Sequence, residues 1–164
     1  MAERLVAADA SPLIALAAAE AFELLHDLFG TVMVTRAVRD EVKAGGDLPG
    51  ARELDAAMQD GWIRVARTPM ETWAFPELGV GEASTLALAL QHGGDALVLM
   101  DDALGREQAR ARGVPVMDLA GLLLAAKRAR LVELVAPIFT RLARCGFTVP
   151  DAAVRGVLEE AGEA

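Results

Sequence analysis

Short apolar segments rich in Val and Ile alternate along the chain with longer stretches whose apolar residues recur at helical spacing. This alternation is typical of a parallel β-sheet whose strands are joined by crossover helices, and it predicts an α/β fold. Only the third segment alternates cleanly between apolar and polar residues, so most strands are expected to be buried on both faces. The five predicted strands are Leu5 to Ala8, Thr31 to Thr35, Trp62 to Ala66, Ala96 to Met100 and Val114 to Met117.

The stretches between the predicted strands favour helices, several of them ended by glycine. The predicted helices are Pro12 to Phe29, Arg36 to Lys43, Ala51 to Gln59, Gly81 to Gln91, Asp102 to Arg112 and Leu119 to Leu134, with a last helix from Asp151 to Glu160. One long loop is expected, from Thr68 to Gly81, directly before Glu82. A chain of 164 residues suits one compact domain, and we expect a single domain over residues 1–164.

The side chains available for chemistry narrow the kinds of site that the chain can build. It has one cysteine, Cys145, and two histidines in separate segments, His26 and His92. An internal disulfide and a zinc–thiolate cluster are therefore not expected, and neither is a Ser–His or Cys–His hydrolase. Any bound metal must be held by oxygen, which suits magnesium, manganese or calcium better than zinc or copper.

Charge and hydropathy bear on where the protein works and what it binds. The formal net charge is −8 and aromatic residues make up 4% of the chain, so charge and base stacking alone would bind nucleic acid weakly. Glu3 and Asp9 interrupt the apolar N-terminal stretch, so no signal peptide is expected. The uncharged run from Ala10 to Ala19 is half the ~20 residues that a membrane helix needs. We expect a soluble, cytoplasmic protein.

Acidic residues from four segments are candidates for an oxygen-rich metal site. Asp9 and Asp101 directly follow the first and fourth predicted strands, Glu41 lies in the helix after the second strand, and Glu82 opens a helix. The carboxyl ends of parallel strands meet at one edge of a sheet, so these side chains are expected to converge. Converging carboxylates repel each other unless a cation is present. Two magnesium ions ~4 Å apart would stabilise the attacking and leaving oxygens of a phosphodiester displacement.

Four segments carry a family resemblance, and they occur in family order over nearly the whole chain. They read VAADASPLIAL, TRAVRDEV, LGVGEASTLALAL and LVLMDDALGREQARARGV. Together they resemble the PIN-domain superfamily, in particular a branch of uncharacterised nucleases related to VapC-type toxins. The resemblance implies a three-layer α/β/α sandwich around a parallel sheet of order 3-2-1-4-5, and a metal-dependent endoribonuclease that uses Mg²⁺ or Mn²⁺.

The resemblance also assigns roles to the acids. It implies Asp9, Glu41, Glu82 and Asp101 as catalytic residues and metal ligands, with Asp102 as a further ligand. It implies an RNA substrate and makes the protein a candidate for the toxin half of a bacterial toxin–antitoxin pair, with a small antitoxin partner and a homodimeric state. This chain departs from the family pattern at two positions. Leu99 replaces the Thr, Ser or Asn of many active relatives, and Glu82 replaces the aspartate of typical toxins.

Each acid also has a purely structural explanation. Asp9 would cap the helix that follows it, and Glu41 would be a solvated residue of its helix. Glu82 would place a favourable negative charge at a helix N-terminus. Of the adjacent pair, we expect Asp101 to bind metal and Asp102 to cap the next helix.

Candidate substrate-binding residues lie beside these acids. Ser11 would contact a phosphate oxygen or cap the first helix, and both roles are compatible. Arg106 and Arg110 belong to a basic group that is interpreted either as a phosphate-binding patch or as solvated helix faces. That group consists of Arg106, Arg110, Arg112, Lys127, Arg128 and Arg130. Asp118 is interpreted as an ordinary N-cap and is left out of the site.

Three functions from different classes follow from these patterns. The first is the metal-dependent endoribonuclease. The alternative is a PIN-fold binding module with weak or no catalysis, motivated by Leu99, the low aromatic content and the acidic charge. A phosphatase with Asp9 as nucleophile is disfavoured because Ser11 stands where the proton-transferring aspartate would be. Dinucleotide binding is not expected, because no glycine-rich G-x-G-x-x-G motif follows the first strand.

Overall fold

A computed structural model describes residues 4–67 and 69–164. Glu3, on which the expected absence of a signal peptide partly rests, and Thr68, the first residue of the predicted long loop, lie outside the described residues. Every helix within the described ranges falls short of the length and apolarity needed to cross a membrane.

The five predicted strands form one parallel sheet of order β3-β2-β1-β4-β5, as the resemblance implied. In the centre of the sheet β1 pairs with β4, and the two strands align from Leu5 opposite Ala96 to Ala8 opposite Leu99. The order of the strands reverses between β1 and β4, and ligands of open α/β sheets bind outside the carboxyl ends at such a point. The strands are β1 Leu5–Ala8, β2 Val32–Val34, β3 Ile63–Val65, β4 Ala96–Leu99 and β5 Val116–Met117.

Helices cover both faces of the sheet, so the described chain is a three-layer α/β/α sandwich. Alternate residues of β1 face opposite layers: Leu5 and Ala7 join the apolar cluster of α5 and α6, whereas Val6 and Ala8 join that of α1 and α7. The helices are α1 Ala10–Ala18, α2 Leu24–Phe29, α3 Arg36–Lys43, α4 Ala51–Asp60, α5 Val80–His92, α6 Ala103–Ala111, α7 Leu119–Arg128, α8 Ala136–Arg144 and α9 Asp151–Glu160. All five predicted strands and five of the seven predicted helices therefore have the right type and place, whereas two helices differ.

The predicted helix Pro12 to Phe29 was wrong, because the chain breaks it into α1 and α2. Glu20 adopts a left-handed conformation with φ 58°. The Ala21 N–H donates to the carbonyl of Leu16 at 2.8 Å, and the Glu20 N–H donates to that of Ala17 at 3.1 Å. These two bonds form a Schellman motif, which usually needs glycine at the left-handed position. The break was invisible in the sequence, since a glutamate occupies that position.

The predicted helix Leu119 to Leu134 was also too long, for the same reason. Arg130 has φ 60°, and the Leu131 N–H donates to the carbonyl of Ala126 at 2.9 Å. A second Schellman motif therefore ends α7 at Arg128, again without a glycine. The residues that follow turn back and form α8, a helix that the sequence patterns did not predict.

Candidate active site

Asp9 lies at the centre of the sheet edge, directly after β1. Its N–H donates to the carbonyl of Leu99 at 3.0 Å, which extends the pairing of β1 with β4 by one residue. Asp9 occupies the N-cap position of α1, but its side chain accepts no capping hydrogen bond. The residue is 1% exposed, and neither carboxylate oxygen has a hydrogen-bond partner in the part of the chain that the structure describes. Capping therefore does not explain this aspartate.

Burial without a partner has a large electrostatic consequence for Asp9. Desolvation raises the pKa of its carboxyl from 3.8 to about 7. The neighbouring N–H of Ala10 offsets part of this rise without reaching hydrogen-bond geometry to either oxygen. The charges of Glu82, Glu41 and Asp102 raise the pKa further. Three of the predicted acids are thus close enough to Asp9 to affect its ionisation.

Glu41 reaches the site from α3, and the position of α3 is fixed by a polar contact with α5. Thr35 caps α3 by accepting a hydrogen bond from the N–H of Val38 at 3.2 Å. The same hydroxyl lies 2.7 Å from the hydroxyl of Ser84 in α5, and both residues are buried. Burial raises the pKa of Glu41, and the charge of Glu82 adds to this. A role as an ordinary solvated helix residue therefore does not account for the raised pKa of Glu41.

Two glycines before and at the start of α5 leave the space that the acids occupy. A Cβ atom on Gly81 would lie 2.8 Å from Oε2 of Glu41 and 3.2 Å from Oδ1 of Asp9. Both oxygens therefore lie within 3.2 Å of one point beside the backbone. A Cβ on Gly79 would lie 2.5 Å from Oε2 of Glu82. The glycines thus allow carboxylates to approach this backbone as closely as they do.

Asp101 follows β4 as predicted, but its side chain turns toward α7. Its Oδ1 accepts a hydrogen bond from the N–H of Leu119 at 2.8 Å. Burial raises the pKa of Asp101; the Leu119 N–H and Arg106 oppose the rise, whereas Asp118 adds to it. The charges that act on Asp101 are therefore those of Asp118 and Arg106, and not those of the residues around Asp9.

Asp102 caps the next helix and also faces the Asp9 cluster. One of its oxygens accepts a hydrogen bond from the N–H of Gly105 at 2.7 Å, which caps α6. Its charge contributes to the raised pKa of Asp9. The structure therefore brings Asp9, Glu41, Glu82 and Asp102 into electrostatic contact, and places Asp101 in a second acidic group.

The second group contains a pair whose interaction the sequence patterns missed. Asp118 caps α7 through the N–H of Gly121 at 2.8 Å, as predicted. Its other oxygen accepts a hydrogen bond from Nη1 of Arg106 at 2.8 Å, and this ion pair is partly buried. No local spacing could reveal that pair, because its members lie in different helical segments, twelve residues apart. Ser11 is exposed and lines the same cavity as this pair.

Much of the predicted basic patch is engaged within the chain. Arg112 lies over the ring of Phe75 at 4.2 Å, and Arg128 pairs with Glu160 at 2.6 Å. Lys127 pairs with Glu163 at 3.4 Å. Arg110 lies exposed in the last turn of α6. The charge available to a phosphate backbone is therefore smaller than the sequence alone indicates.

The donor set of the Asp9 cluster has the chemistry of a site for a hard divalent cation. Carboxylate oxygens are the ligands that Mg²⁺ and Mn²⁺ prefer, and within the described chain the buried oxygens of Asp9 have no other partner. Within residues 4–67 and 69–164, no three Asp, Glu, His or Cys side chains gather closely enough to enclose an ion. Asp9 and Glu41 each place one oxygen within 3.2 Å of a single point beside Gly81.

Comparison with known proteins agrees with the fold. The sequence model of the PIN-domain family matches residues 5–163, and the chain belongs to that family. No protein of curated function matches the chain. PIN domains are generally nucleases and typically use divalent metals.

Proposed function

We propose that the protein is a cytoplasmic, metal-dependent endoribonuclease that hydrolyses RNA phosphodiester bonds. In this proposal Asp9, Glu41, Glu82 and Asp101 are the catalytic acids, Asp102 is a further ligand, and Mg²⁺ or Mn²⁺ is the cofactor. One observation carries the proposal: among the described residues, no hydrogen-bond donor pairs with the buried carboxylate of Asp9, which lies beside Glu41. A buried charge of this kind is costly unless it is paired.

The residues of the chain would prepare the site for a cation and a phosphate. Without a cation, the carboxyl group of Asp9 holds a proton near neutral pH, and cation binding releases that proton. The bond between Thr35 and Ser84 keeps Glu41 at the mouth of the site by joining α3 to α5. When bound, the metal supplies positive charge at the scissile phosphate and lowers the pKa of a water molecule. Ser11, Arg106 and Arg110 are proposed to contact the RNA.

A second candidate function is a PIN-fold binding module with weak or no catalysis. The observation that favours it is that no three metal-ligating side chains gather in the described residues. In addition, Leu99 is buried in the core rather than directed to the site. Family resemblance also carries the proposals of a toxin role, a small antitoxin partner and a homodimer. Copurification with the neighbouring gene product and sedimentation would test these separately from catalysis.

The test is cleavage of a mixed RNA panel by purified protein, with Mn²⁺ and with chelator. The variants are Asp9→Asn and Glu41→Gln, with Asp40→Asn as the matched control. Asp40 neighbours Glu41 in α3 but pairs with Arg39 at the surface. We expect Mn²⁺-dependent cleavage that both site variants lose and the control keeps.

Cleavage that persists in chelator or in Asp9→Asn would contradict the endoribonuclease proposal. If a folded wild-type protein binds Mn²⁺ and RNA but cuts nothing on the panel, the binding module becomes the better account. Circular dichroism of each variant establishes that lost cleavage does not reflect lost folding.

A further inference from the structure

A cavity of about 510 Å³ adjoins the acidic edge on the side away from Glu41. Ser11 and Asp101 lie at its border, and the ion pair of Arg106 with Asp118 lines it. Its outer side is formed by residues 147–150 and Ala153, which we call the C-terminal wall. This wall follows α8, the helix that the sequence patterns did not predict.

We propose that this cavity is a base-binding subsite that takes one unpaired nucleobase of the RNA, an inference that rests on the proposed endoribonuclease function. Its volume falls within the range of about 300–1,000 Å³ that is usual for small-molecule sites. Proteins bind unpaired bases by stacking them on aromatic rings and by hydrogen-bonding their edges. The cavity offers both kinds of contact.

The stacking face would come from Phe147 in the C-terminal wall. Phe147 is partly buried and packs against the main apolar cluster, so its ring is held in place. The backbone N–H of Phe147 donates to the carbonyl of Leu142 at 3.0 Å, which anchors the start of the wall to α8. Ala15, Ala120 and Val149 supply further apolar surface around the cavity.

The hydrogen-bonding edge would come from Arg106 and Asp118, which present a donor and an acceptor side by side. Arg106 donates to Asp118 through Nη1, and a guanidinium carries five N–H donors, so donors beyond that bond remain. The two oxygens of Asp118 each accept one hydrogen bond, and a carboxylate has capacity for about four. Each of the four bases carries a donor beside an acceptor on its Watson–Crick edge, so this pair matches the edge of any of them.

Charge favours a base over a phosphate group in this cavity. Of the residues placed around it, Arg106 carries the positive charge, whereas Asp101 and Asp118 carry negative charges. The net negative charge of these side chains repels a phosphate group but does not repel a neutral base. Because uracil also offers an N–H donor beside a carbonyl acceptor, we expect this subsite to accept all four bases.

The test uses the intact chain with Mg²⁺ and nucleoside 5′-monophosphates, which have no internal phosphodiester bond to cleave. Saturation-transfer NMR and titration with AMP, CMP, GMP and UMP would give the contacts and affinities. Ribose 5-phosphate, which lacks the base, is the reference ligand, and we expect it to bind about tenfold more weakly than the four nucleotides, as the loss of one stacked base implies. Phe147→Leu should weaken all four nucleotides at least threefold while keeping apolar bulk in the wall.

Trp73→Leu is the matched control, because it makes the same kind of change at an exposed aromatic residue that lines a different cavity. Asp118→Asn should also weaken the four nucleotides and leave ribose 5-phosphate unchanged. Nucleotides that bind no more tightly than ribose 5-phosphate, with affinities unchanged in Phe147→Leu, would overturn the subsite even if RNA is cleaved. Base-dependent binding lost in Phe147→Leu, in a protein that cleaves no RNA, would support the subsite and count against the nuclease.

Discussion

Two acidic groups lie at the same edge of the sheet, and they differ in how their charge is balanced. Around Asp9 and Glu41 the carboxylates face each other, and both oxygens of Asp9 lack a partner among the described residues. Around Asp101 and Asp118 the chain supplies backbone N–H donors and the guanidinium of Arg106. The second group is balanced within the chain, whereas under the proposed function the first group is balanced by a bound cation.

This difference assigns distinct roles to acids that look equivalent in the sequence. A buried carboxylate without a partner must hold a proton or bind a cation, and either choice makes it sensitive to pH and to metal. Asp118, which is already paired, mainly shapes its surroundings, whereas Asp101 uses only Oδ1 for the Leu119 N–H and keeps its second oxygen for the proposed metal. The comparison can be sharpened by treatments that act on one group and spare the other.

The largest expected effect is a loss of stability at high pH, to which Asp9 of the first group contributes most. The pKa of Asp9 is raised to about 7, so the folded state holds a proton that the unfolded chain releases near pH 4. Without metal, the free energy of unfolding should therefore fall as pH rises from 4 to 7, by up to about 4 kcal/mol. Urea unfolding in chelator at pH 5 and pH 8 measures the part of this fall that lies between those two pH values, about 2.5 kcal/mol.

Asp9→Asn removes the group that titrates, so it should flatten this pH dependence and unfold at higher urea concentration than wild type at pH 8. Mn²⁺ should restore stability to the wild type at pH 8 and leave Asp9→Asn unchanged. A wild type that is equally stable at both pH values would show that Asp9 is solvated or paired in solution.

A smaller effect is expected when a methyl group is added beside the first group. In Gly81→Ala the new Cβ would approach Glu41 Oε2 to 2.8 Å and Asp9 Oδ1 to 3.2 Å. Glu41 is an exposed, flexible side chain that can swing away, so the protein should still fold. Its displacement from Asp9 should weaken Mn²⁺ binding about tenfold, equivalent to the loss of ~1.4 kcal/mol. Calorimetric titration measures the affinity.

Gly156→Ala in α9 is the matched control, because a Cβ there meets no atom within 4 Å. It should leave Mn²⁺ affinity unchanged and raise the free energy of unfolding by about 0.5–1 kcal/mol, the usual gain of alanine over glycine in a helix. If both variants bind Mn²⁺ like the wild type, the crowding beside Gly81 has no role in cation binding.

The smallest effect is expected in the second group. Breaking the pair of Arg106 and Asp118 should lower the free energy of unfolding by about 1 kcal/mol, because the pair is partly exposed and the α7 cap is retained in Asp118→Asn. A double-mutant cycle of Arg106→Gln with Asp118→Asn isolates the pairwise interaction. A coupling energy near zero would mean that the second group is less tightly balanced than the structure indicates.

The fold followed from sequence wherever one local signal sufficed. Apolar segments marked the five strands, and α3 ends near Gly45 and Gly46 as predicted. The patterns failed at Glu20 and Arg130, where left-handed helix ends occur without glycine and the apolar periodicity continues past them. Helix ends of this kind are determined by tertiary packing, and the local sequence does not indicate them.

The candidate site was predictable as a set of residues but not as a geometry. The position of Asp9 and Asp101 after two predicted strands indicated one sheet edge, and the structure places both residues at that edge. The sequence could not show that Asp101 turns toward Leu119 while Asp102 faces Asp9, because neighbouring residues point to different sides and the choice depends on α7. The sequence could not show that Arg106 pairs with Asp118, because that pairing also depends on how α7 packs.

The central claim is that the group around Asp9 binds a divalent cation, and titration calorimetry with Mn²⁺ tests it most directly. The proteins compared are wild type, Asp9→Asn and Asp118→Asn, at pH 8. The account predicts that wild type and Asp118→Asn bind Mn²⁺ with similar affinity, and that Asp9→Asn shows no saturable binding. Mn²⁺ binding that survives Asp9→Asn, or that Asp118→Asn abolishes, would contradict it.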